Sequence, residues 1–181
     1  MASVLAAVGV LFWKHHAAAP AVASVEKTAK QAVQTKTADA APAQPSACQS
    51  NTAAKAVIVS LSKQHMWVCG GGQQVYDTAV TTGATAYGDG TPTGTWAVQS
   101  KQTDRYLTGS DSRGSWNDYV NFWMPFNGDY GFHDATWQTF PFGSLTQYQT
   151  GGSHGCVHLP LTAMQWLYNW APVGTTVTIE A

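Results

Sequence analysis

The sequence predicts a mainly β domain that carries one main helix near its C-terminus. From residue 55 onward, short runs rich in β-branched and aromatic residues alternate with turns rich in Gly, Pro and Thr, a pattern typical of strands joined by short loops. Only residues 160–171 place their apolar side chains at helical spacing. We therefore expect a β-rich, sandwich- or barrel-like fold on which a single helix packs.

Two segments of different composition precede this domain. Residues 2–13 form an almost unbroken apolar run, too short for the roughly 20 residues that span a bilayer but long enough for the apolar part of a signal sequence. We interpret residues 1–23 as a signal or anchor segment and residues 2–13 as a membrane tether, with a buried N-terminal helix as the alternative. Residues 24–54 are rich in Ala, Thr, Pro and Gln and contain no aromatic residue, which predicts a disordered tether.

The strands of the domain are predicted from β-branched and aromatic runs. Residues 70–72 are three glycines between two such runs, which indicates a hairpin turn, and no Gly-x-Gly-x-x-Gly pattern supports a nucleotide site. Residues 83–94, 100–118 and 134–152 are interpreted as loops, the second of them a polar surface loop beside the site. The predicted strands are residues 56–62, 64–69, 74–82, 96–99, 119–126, 130–133 and 175–179.

Length and charge limit the classes of function. The chain has 181 residues, which suits one domain with additional segments, and we expect a monomer. Its net charge is −1, from 9 basic and 10 acidic residues, so it lacks the basic surface that nucleic acid requires. We therefore expect no nucleic-acid partner.

The cysteines are odd in number. Cys48 and Cys69 are the natural pair for a disulfide, and closing a loop of about 20 residues stabilises a fold by about 3 kcal/mol. The alternative is that both are reduced, because a sequence does not show whether their Cα atoms approach closely enough. The third cysteine, Cys156, is left as a free thiol.

Residues 153–158 read Ser-His-Gly-Cys-Val-His, which places the thiol of Cys156 between two imidazoles. A catalytic cysteine needs a histidine within reach, and the candidates are His133, His154 and His158. On an extended backbone the last two project to the same face as the thiol. The alternatives are a small buried cysteine and a zinc site formed by His154, Cys156 and His158.

These residues resemble the signature of the L,D-transpeptidase catalytic domain, the YkuD-like family that remodels bacterial peptidoglycan. The resemblance extends from about residue 55 to the end of the chain. A signature in several ordered pieces is more specific than a single motif. Its pieces are residues 58–64, 91–95, 133–137, 153–157 and 174–177.

The resemblance implies a catalytic pair. Cys156 is the expected nucleophile, and His133 is the base that takes the thiol proton and leaves the sulfur anionic. The backbone carbonyl of Asp134 orients the imidazole of His133, whereas the Asp134 side chain has no implied role.

The resemblance also implies roles for the residues around this pair. Ser153 and His154 shape the catalytic loop, and His154 joins the catalytic set. The backbone N–H of Gly155, with that of the cysteine after it, stabilises the oxyanion. Ser153, His158 and Tyr119 are the expected substrate-binding residues, Tyr119 as a further oxyanion donor. His158 stands where the family usually has Asn or Arg, and it introduces a group expected to protonate near neutral pH.

The implied activity is acyl transfer from a stem tetrapeptide, with release of D-Ala, to an amine of a neighbouring stem peptide, which forms a 3-3 cross-link. The expected partners are peptidoglycan stem peptides, with no cofactor and no metal, in an extracytoplasmic location at the cell wall or the outer face of the membrane. The alternatives are an L,D-carboxypeptidase using the same site and a catalytically silent wall-binding module. Papain-like and NlpC-like peptidases are disfavoured, because their cysteine precedes the histidine in the chain.

Overall fold

The structure, a computed structural model, describes residues 47–181. The predicted signal or anchor segment, residues 1–23, and most of the predicted tether, residues 24–54, therefore lie outside the described residues. No helix in residues 47–181 is long and apolar enough to cross a membrane. The described strands are β1 (Lys55–Ser60), β2 (His65–Gly70), β3 (Gln73–Ala79), β4 (Gly94–Ala97), β5 (Gln102–Asp111), β6 (Gly114–Asn127), β7 (Tyr130–Asp134), β8 (Val157–Leu159) and β9 (Thr176–Glu180), and the described α-helices are α1 (Tyr148–Gly151) and α2 (Leu161–Trp170).

The strands form two sheets, which confirms the predicted mainly β fold with one main helix near the C-terminus. The first sheet has the order β3-β2-β1-β9-β4 and the second has the order β5-β6-β7-β8. Neighbours are antiparallel except for two parallel pairs, β1 with β9 and β7 with β8. The second parallel pair carries the catalytic candidates of the sequence, because β7 contains His133 and β8 directly follows Cys156.

The prediction of a loop over residues 100–118 is wrong. This segment forms β5 and the first part of β6, which pair in register from Gln102 opposite Trp123 to Asp111 opposite Gly114. A strand with one face on a core shows alternating apolar residues, but most of this hairpin is exposed or only half-buried. The strands therefore lack the alternation by which they would have been identified, and the predicted strand over residues 119–126 is only the buried end of β6.

One hydrophobic core joins both sheets and α2. Val57 and Val59 of β1 point into it, together with Phe132 of β7 and Leu167 of α2. The helix begins after Pro160, whose carbonyl accepts a hydrogen bond from Met164 N at 2.9 Å. This core fixes the second sheet, and with it the strands that carry the site, against the first sheet.

The opposite face of β1 is covered by the chain that precedes it. Ala56 and Ile58 of β1 form a second buried cluster with Cys48 and Cys69. These two cysteines are joined by a disulfide, with their Cα atoms 5.4 Å apart, so the bridged alternative is the one observed. The bridge attaches the segment before β1 to β2.

Removing this disulfide with the double substitution Cys48→Ala and Cys69→Ala is expected to lower the free energy of unfolding by about 3 kcal/mol, because the unfolded chain regains the entropy of the open loop. Urea denaturation of the two proteins measures the difference. Cys156→Ala is the matched control, since it removes a cysteine and keeps the bridge. Equal stability of the wild type and the double variant would contradict a stabilising role.

Candidate active site

Cys156 lies on the loop between α1 and β8, at the wall of a cleft of about 870 Å³. The parallel pairing of β7 with β8 places His133 directly opposite His158, two residues beyond the cysteine. Cys156, His133 and His158 all line this cleft, together with His154 and Ser153. The structure thus brings five of the residues singled out in the sequence to one cavity.

The cysteine loop is held by its own serine. The Ser153 hydroxyl donates to the carbonyl of Cys156 at 2.6 Å and accepts from the Gly155 N–H at 3.0 Å. Gly155 has φ +113°, and a Cβ at this position would lie 2.2 Å from Cε1 of Tyr130. Only glycine lets the backbone pass so close to that ring in this conformation. The Gly155 N–H, which was expected to be an oxyanion donor, is already engaged by its hydrogen bond to the Ser153 hydroxyl.

A second segment, which contains Thr91, supports the cysteine loop. The Thr91 hydroxyl donates to the carbonyl of Gly155 at 2.9 Å and accepts from the Gly83 N–H at 3.0 Å. Thr91 is buried, so its hydroxyl is the partner of two backbone groups that water does not reach easily. Thr91, which lies in the signature piece over residues 91–95, therefore positions the cysteine loop.

His133 is buried at the cleft and has a defined tautomer. Its Nδ1 lies 3.0 Å from the carbonyl oxygen of Asp134, and because a carbonyl only accepts, Nδ1 carries the proton and Nε2 is the basic nitrogen. The Asp134 carboxylate faces elsewhere. It accepts from Phe122 N at 2.9 Å and from Asn121 Nδ2 at 2.7 Å, which ties β7 to β6.

His158 is the neighbour of His133, and the centroids of the two rings are 4.6 Å apart. Its Nδ1 lies 3.4 Å from Oε1 of Gln138. Burial, followed by the proximity of His133 and His154, holds the pKa of His158 well below its usual value. The expectation that this imidazole protonates near neutral pH is therefore wrong, since the protein interior disfavours its charged form.

The thiol of Cys156 is protonated at neutral pH. Burial raises its pKa to about 11, with the Asp129 carboxylate adding to the rise and a hydrogen bond from the Gly131 backbone opposing it. Burial also lowers the pKa of His133, so that the imidazole is neutral. The Sγ atom lies 3.6 Å from the carbonyl oxygen of Asp129. The expectation of a resting thiolate is wrong, and the pair consists of a neutral thiol and a neutral imidazole.

His154 faces the tip of the β5–β6 hairpin. Its ring stacks on Trp116 with the centroids 3.8 Å apart, and its Nε2 lies 3.6 Å from a carboxylate oxygen of Asp111. Trp116 also packs over Gly109, where an added Cβ would lie 2.0 Å from the indole. These contacts connect the hairpin tip to the cysteine loop.

An arginine fastens the same hairpin tip. The guanidinium of Arg113 contacts the carboxylates of Asp89 and Asp111 and lies 4.5 Å from the ring centroid of Tyr87. The hairpin is thereby attached to the loop after β3. This contact helps to define one wall of the cleft.

The proposed zinc set of His154, Cys156 and His158 is not assembled. Within residues 47–181, the one group of at least three potential ligands with their donor atoms within 4.8 Å of one another is Asp89, Asp111 and His154. Arg113 already contacts both of those carboxylates. The geometry of the cysteine loop therefore does not support the zinc alternative.

Tyr119 does not line the cleft. It is exposed, and its hydroxyl donates to Asp104 Oδ1 at 2.7 Å. Along β6 the side chains alternate, so Trp116 and Asp118 line the cleft while Tyr119 points to the other side of the hairpin. The structure thus gives no support for Tyr119 as a substrate-binding residue and places Tyr130 beside the cysteine loop instead.

Sequence reasoning missed the indole rings around the two buried histidines. The Trp123 and Trp137 rings lie 5.8 Å and 5.9 Å from the ring of His133. Trp137 was identifiable from the sequence, since it ends the signature piece over residues 133–137. Trp116 was not, because its segment was assigned to a loop.

The model of the L,D-transpeptidase catalytic domain matches residues 54–179. The chain belongs to this family. Among curated proteins, no significant match to this chain was found. The family match covers every described strand except the last residue of β9.

Solved structures of L,D-transpeptidases resemble this member of the family. A C442S mutant of an Enterococcus faecium L,D-transpeptidase is 31% identical, with TM-score 0.64, over 70% of this chain and 50% of that chain. The catalytic domain from E. faecium acylated by ertapenem is 32% identical, with TM-score 0.60, over 69% and 95% of the two chains. An L,D-transpeptidase from Stackebrandtia nassauensis is 27% identical, with TM-score 0.58, over 77% and 62%. The chain spans about half the length of two of its solved relatives.

Substituting Thr91→Val is expected to lower the free energy of unfolding by about 1–3 kcal/mol, because two buried backbone groups lose their hydrogen-bond partner. It is also expected to speed alkylation of Cys156, because a looser loop exposes the thiol and relaxes the burial that raises its pKa. Thr93→Val is the matched control, since Thr93 is exposed in the same turn. Denaturant unfolding and alkylation kinetics check both effects, and equal values for the two variants would refute this role.

Alkylation of Cys156 by iodoacetamide is expected to rise with pH through about 11, well above the value of about 8.5 for an ordinary cysteine. Since the fold raises this pKa, the unfolded chain loses the proton first, and stability falls as the pH rises from about 8.5 towards 11. The pH dependence of the alkylation rate measures the shift, with Cys156→Ala as the unlabelled control. An inflection at 8.5 or below would show that the site instead favours the thiolate.

Proposed function

We propose that this protein is a peptidoglycan L,D-transpeptidase with Cys156 as its nucleophile and His133 as its base. Family membership supports the reaction class. The observation that carries the assignment is that the thiol and an imidazole of defined tautomer line one cleft. The cleft has a volume of about 870 Å³, within the range of clefts that enclose small molecules or short peptides.

The neutral pair sets the order of the proton transfers. Nε2 of His133 takes the Sγ proton as the sulfur attacks the carbonyl carbon between the third residue and D-Ala of the donor stem peptide. The imidazolium then gives this proton to the leaving amine, the C–N bond breaks, and D-Ala departs. A thioester on Cys156 remains. The buried site disfavours charge on either group alone, so thiolate formation is coupled to attack rather than completed beforehand.

The second half of the reaction uses the same groups. An amine of a neighbouring stem peptide attacks the thioester while His133 takes its proton, and the proton returns to the sulfur as the new amide forms. The carbonyl of Asp134 supports the imidazolium in both halves, because it accepts from Nδ1. The product is the 3-3 cross-link.

The oxyanion of each tetrahedral intermediate needs N–H donors near the thiol. We assign the backbone N–H of Cys156 as the primary donor. The Gly155 N–H becomes a second donor when the Ser153 hydroxyl releases it. His158 acts by packing against the ring of His133, and His154 acts by joining the cysteine loop to the hairpin tip.

We further propose an extracytoplasmic location, at the cell wall or the outer face of the membrane, for a monomer tethered through residues 2–13. The disulfide between Cys48 and Cys69 supports an oxidising compartment. The division into a signal or anchor segment, a tether and a catalytic domain at residues 55–181 agrees with a family match that begins at residue 54.

Incubation of the wild type with a carbapenem is expected to increase its intact mass by one acyl adduct, and Cys156→Ala is expected to form none. His133→Gln is expected to slow acylation by about 10²–10⁴-fold, because the thiol loses its base. His65→Gln is the matched control, since His65 pairs with Asp77 outside the cleft. An adduct that persists in Cys156→Ala would place the nucleophile elsewhere.

A tetrapeptide donor tests the reaction itself. Transfer yields cross-linked dimers and free D-Ala, whereas hydrolysis yields the tripeptide and D-Ala. Mass analysis of the products separates the two, and tripeptide alone, with a suitable acceptor present, would make the protein an L,D-carboxypeptidase.

A further inference from the structure

Arg105 on β5 has a buried hydrogen-bond donor without a partner. The residue is half-buried and lines the same cavity as Cys156. Its Nε atom is, within residues 47–181, the one buried side-chain nitrogen or oxygen without a hydrogen-bond partner. Leaving a buried donor unsatisfied is costly, so such an atom is explained best by a partner that binds there.

Arg105 has no carboxylate partner among the described residues. Its Nη1 donates to the neutral amide oxygen of Gln102, and no ion pair of the described residues includes it. The other arginine of the chain, Arg113, is fully engaged with Asp89 and Asp111. Arg113 therefore holds the hairpin in place, whereas the guanidinium of Arg105 is available to bind an anion.

Among the described residues, Arg105 is also the one lysine or arginine that lines the cleft, whose lining includes four aspartates. It shares a face of β5 with Leu107 and Gly109, opposite Asp118 and Trp116 of β6. Arg105 lies four residue steps before Gly109 on the strand, a distance of about 13 Å. An extended peptide of about four residues covers this length, from the tip near the cysteine loop to the guanidinium.

We propose that Arg105 binds a carboxylate of the donor stem peptide and so selects donors by their charge, an inference that rests on the proposed function. A guanidinium forms two parallel hydrogen bonds with a carboxylate, and the guanidinium of Arg105 forms no ion pair among the described residues. Two carboxylates of a stem tetrapeptide are the candidates for this contact. One is the terminal carboxylate of D-Ala at position four, and the other belongs to the acidic residue at position two.

The test compares three donors that differ by one charge. They are the tetrapeptide, the same peptide amidated at its C-terminus, and the same peptide amidated at position two. In the wild type, amidation of the bound carboxylate is expected to lower kcat/KM by about tenfold to a hundredfold, mainly through KM, because a charge-assisted hydrogen-bond pair is lost. The donor that loses activity identifies the carboxylate.

In Arg105→Gln, kcat/KM for the unmodified tetrapeptide is expected to fall by the same factor. The wild type's preference for this tetrapeptide over the donor whose bound carboxylate is amidated is expected to disappear. Arg105→Lys keeps the positive charge but not the paired donors of the guanidinium, and it should recover only part of the lost kcat/KM. Lys101→Gln is the matched control, since it removes a cation just before β5 that contacts Tyr168 outside the cleft. Circular dichroism and the rate of iodoacetamide labelling of Cys156 establish that each variant is folded with an intact site.

A wild type that turns over all three donors equally, or an Arg105→Gln that keeps the preference, would overturn the inference and leave the proposed function standing. Titration of the tetrapeptide into Cys156→Ala, with and without Arg105→Gln, measures binding without turnover. If no donor reacts, the proposed function fails. The inference still holds in that case if the tetrapeptide binds about tenfold or more weakly to Cys156→Ala with Arg105→Gln than to Cys156→Ala alone. Binding that is equal in the two variants refutes it.

Discussion

The site depends on the parallel pairing of β7 with β8. Parallel neighbours present their residues side by side, so His133 stands beside His158, and the thiol of Cys156 enters the same cleft from the loop that leads into β8. The core side of the same strands, Phe132 and Val157, is fully buried. The packing that stabilises the domain therefore also sets the relation between the imidazole and the cysteine loop.

Burial determines the charge states of this site. It raises the pKa of Cys156 and lowers those of His133 and His158, so the resting site holds neutral groups among indole rings. A neutral imidazole is a competent base, and a neutral thiol is less reactive than a thiolate. The carbonyl of Asp134 fixes the tautomer of His133 and, because it is uncharged, adds no charge near the sulfur.

The β5–β6 hairpin turns this pair of strands into a cleft. Its tip is joined to the cysteine loop by the stack of Trp116 on His154, and to the loop after β3 by Arg113. One face of the hairpin carries both Trp116, which contacts the cysteine loop, and Arg105, whose guanidinium forms no ion pair among the described residues. Most of the hairpin residues that line the cleft come from its outer part, residues 105–118, whereas the end of β6 packs into the core.

The sequence by itself determined the fold class, the main helix and the catalytic candidates, because β-branched runs, helical spacing and the Ser-His-Gly-Cys stretch are local signals. It did not reveal the hairpin, since a ribbon exposed on most of its surface shows no apolar alternation. It left the pairing of Cys48 with Cys69 open, and it misjudged the protonation of Cys156 and His158. Only the tertiary structure decided these points, because the approach of two cysteines, the facing of Tyr119 away from the cleft and the desolvation of a thiol all depend on residues distant in the chain.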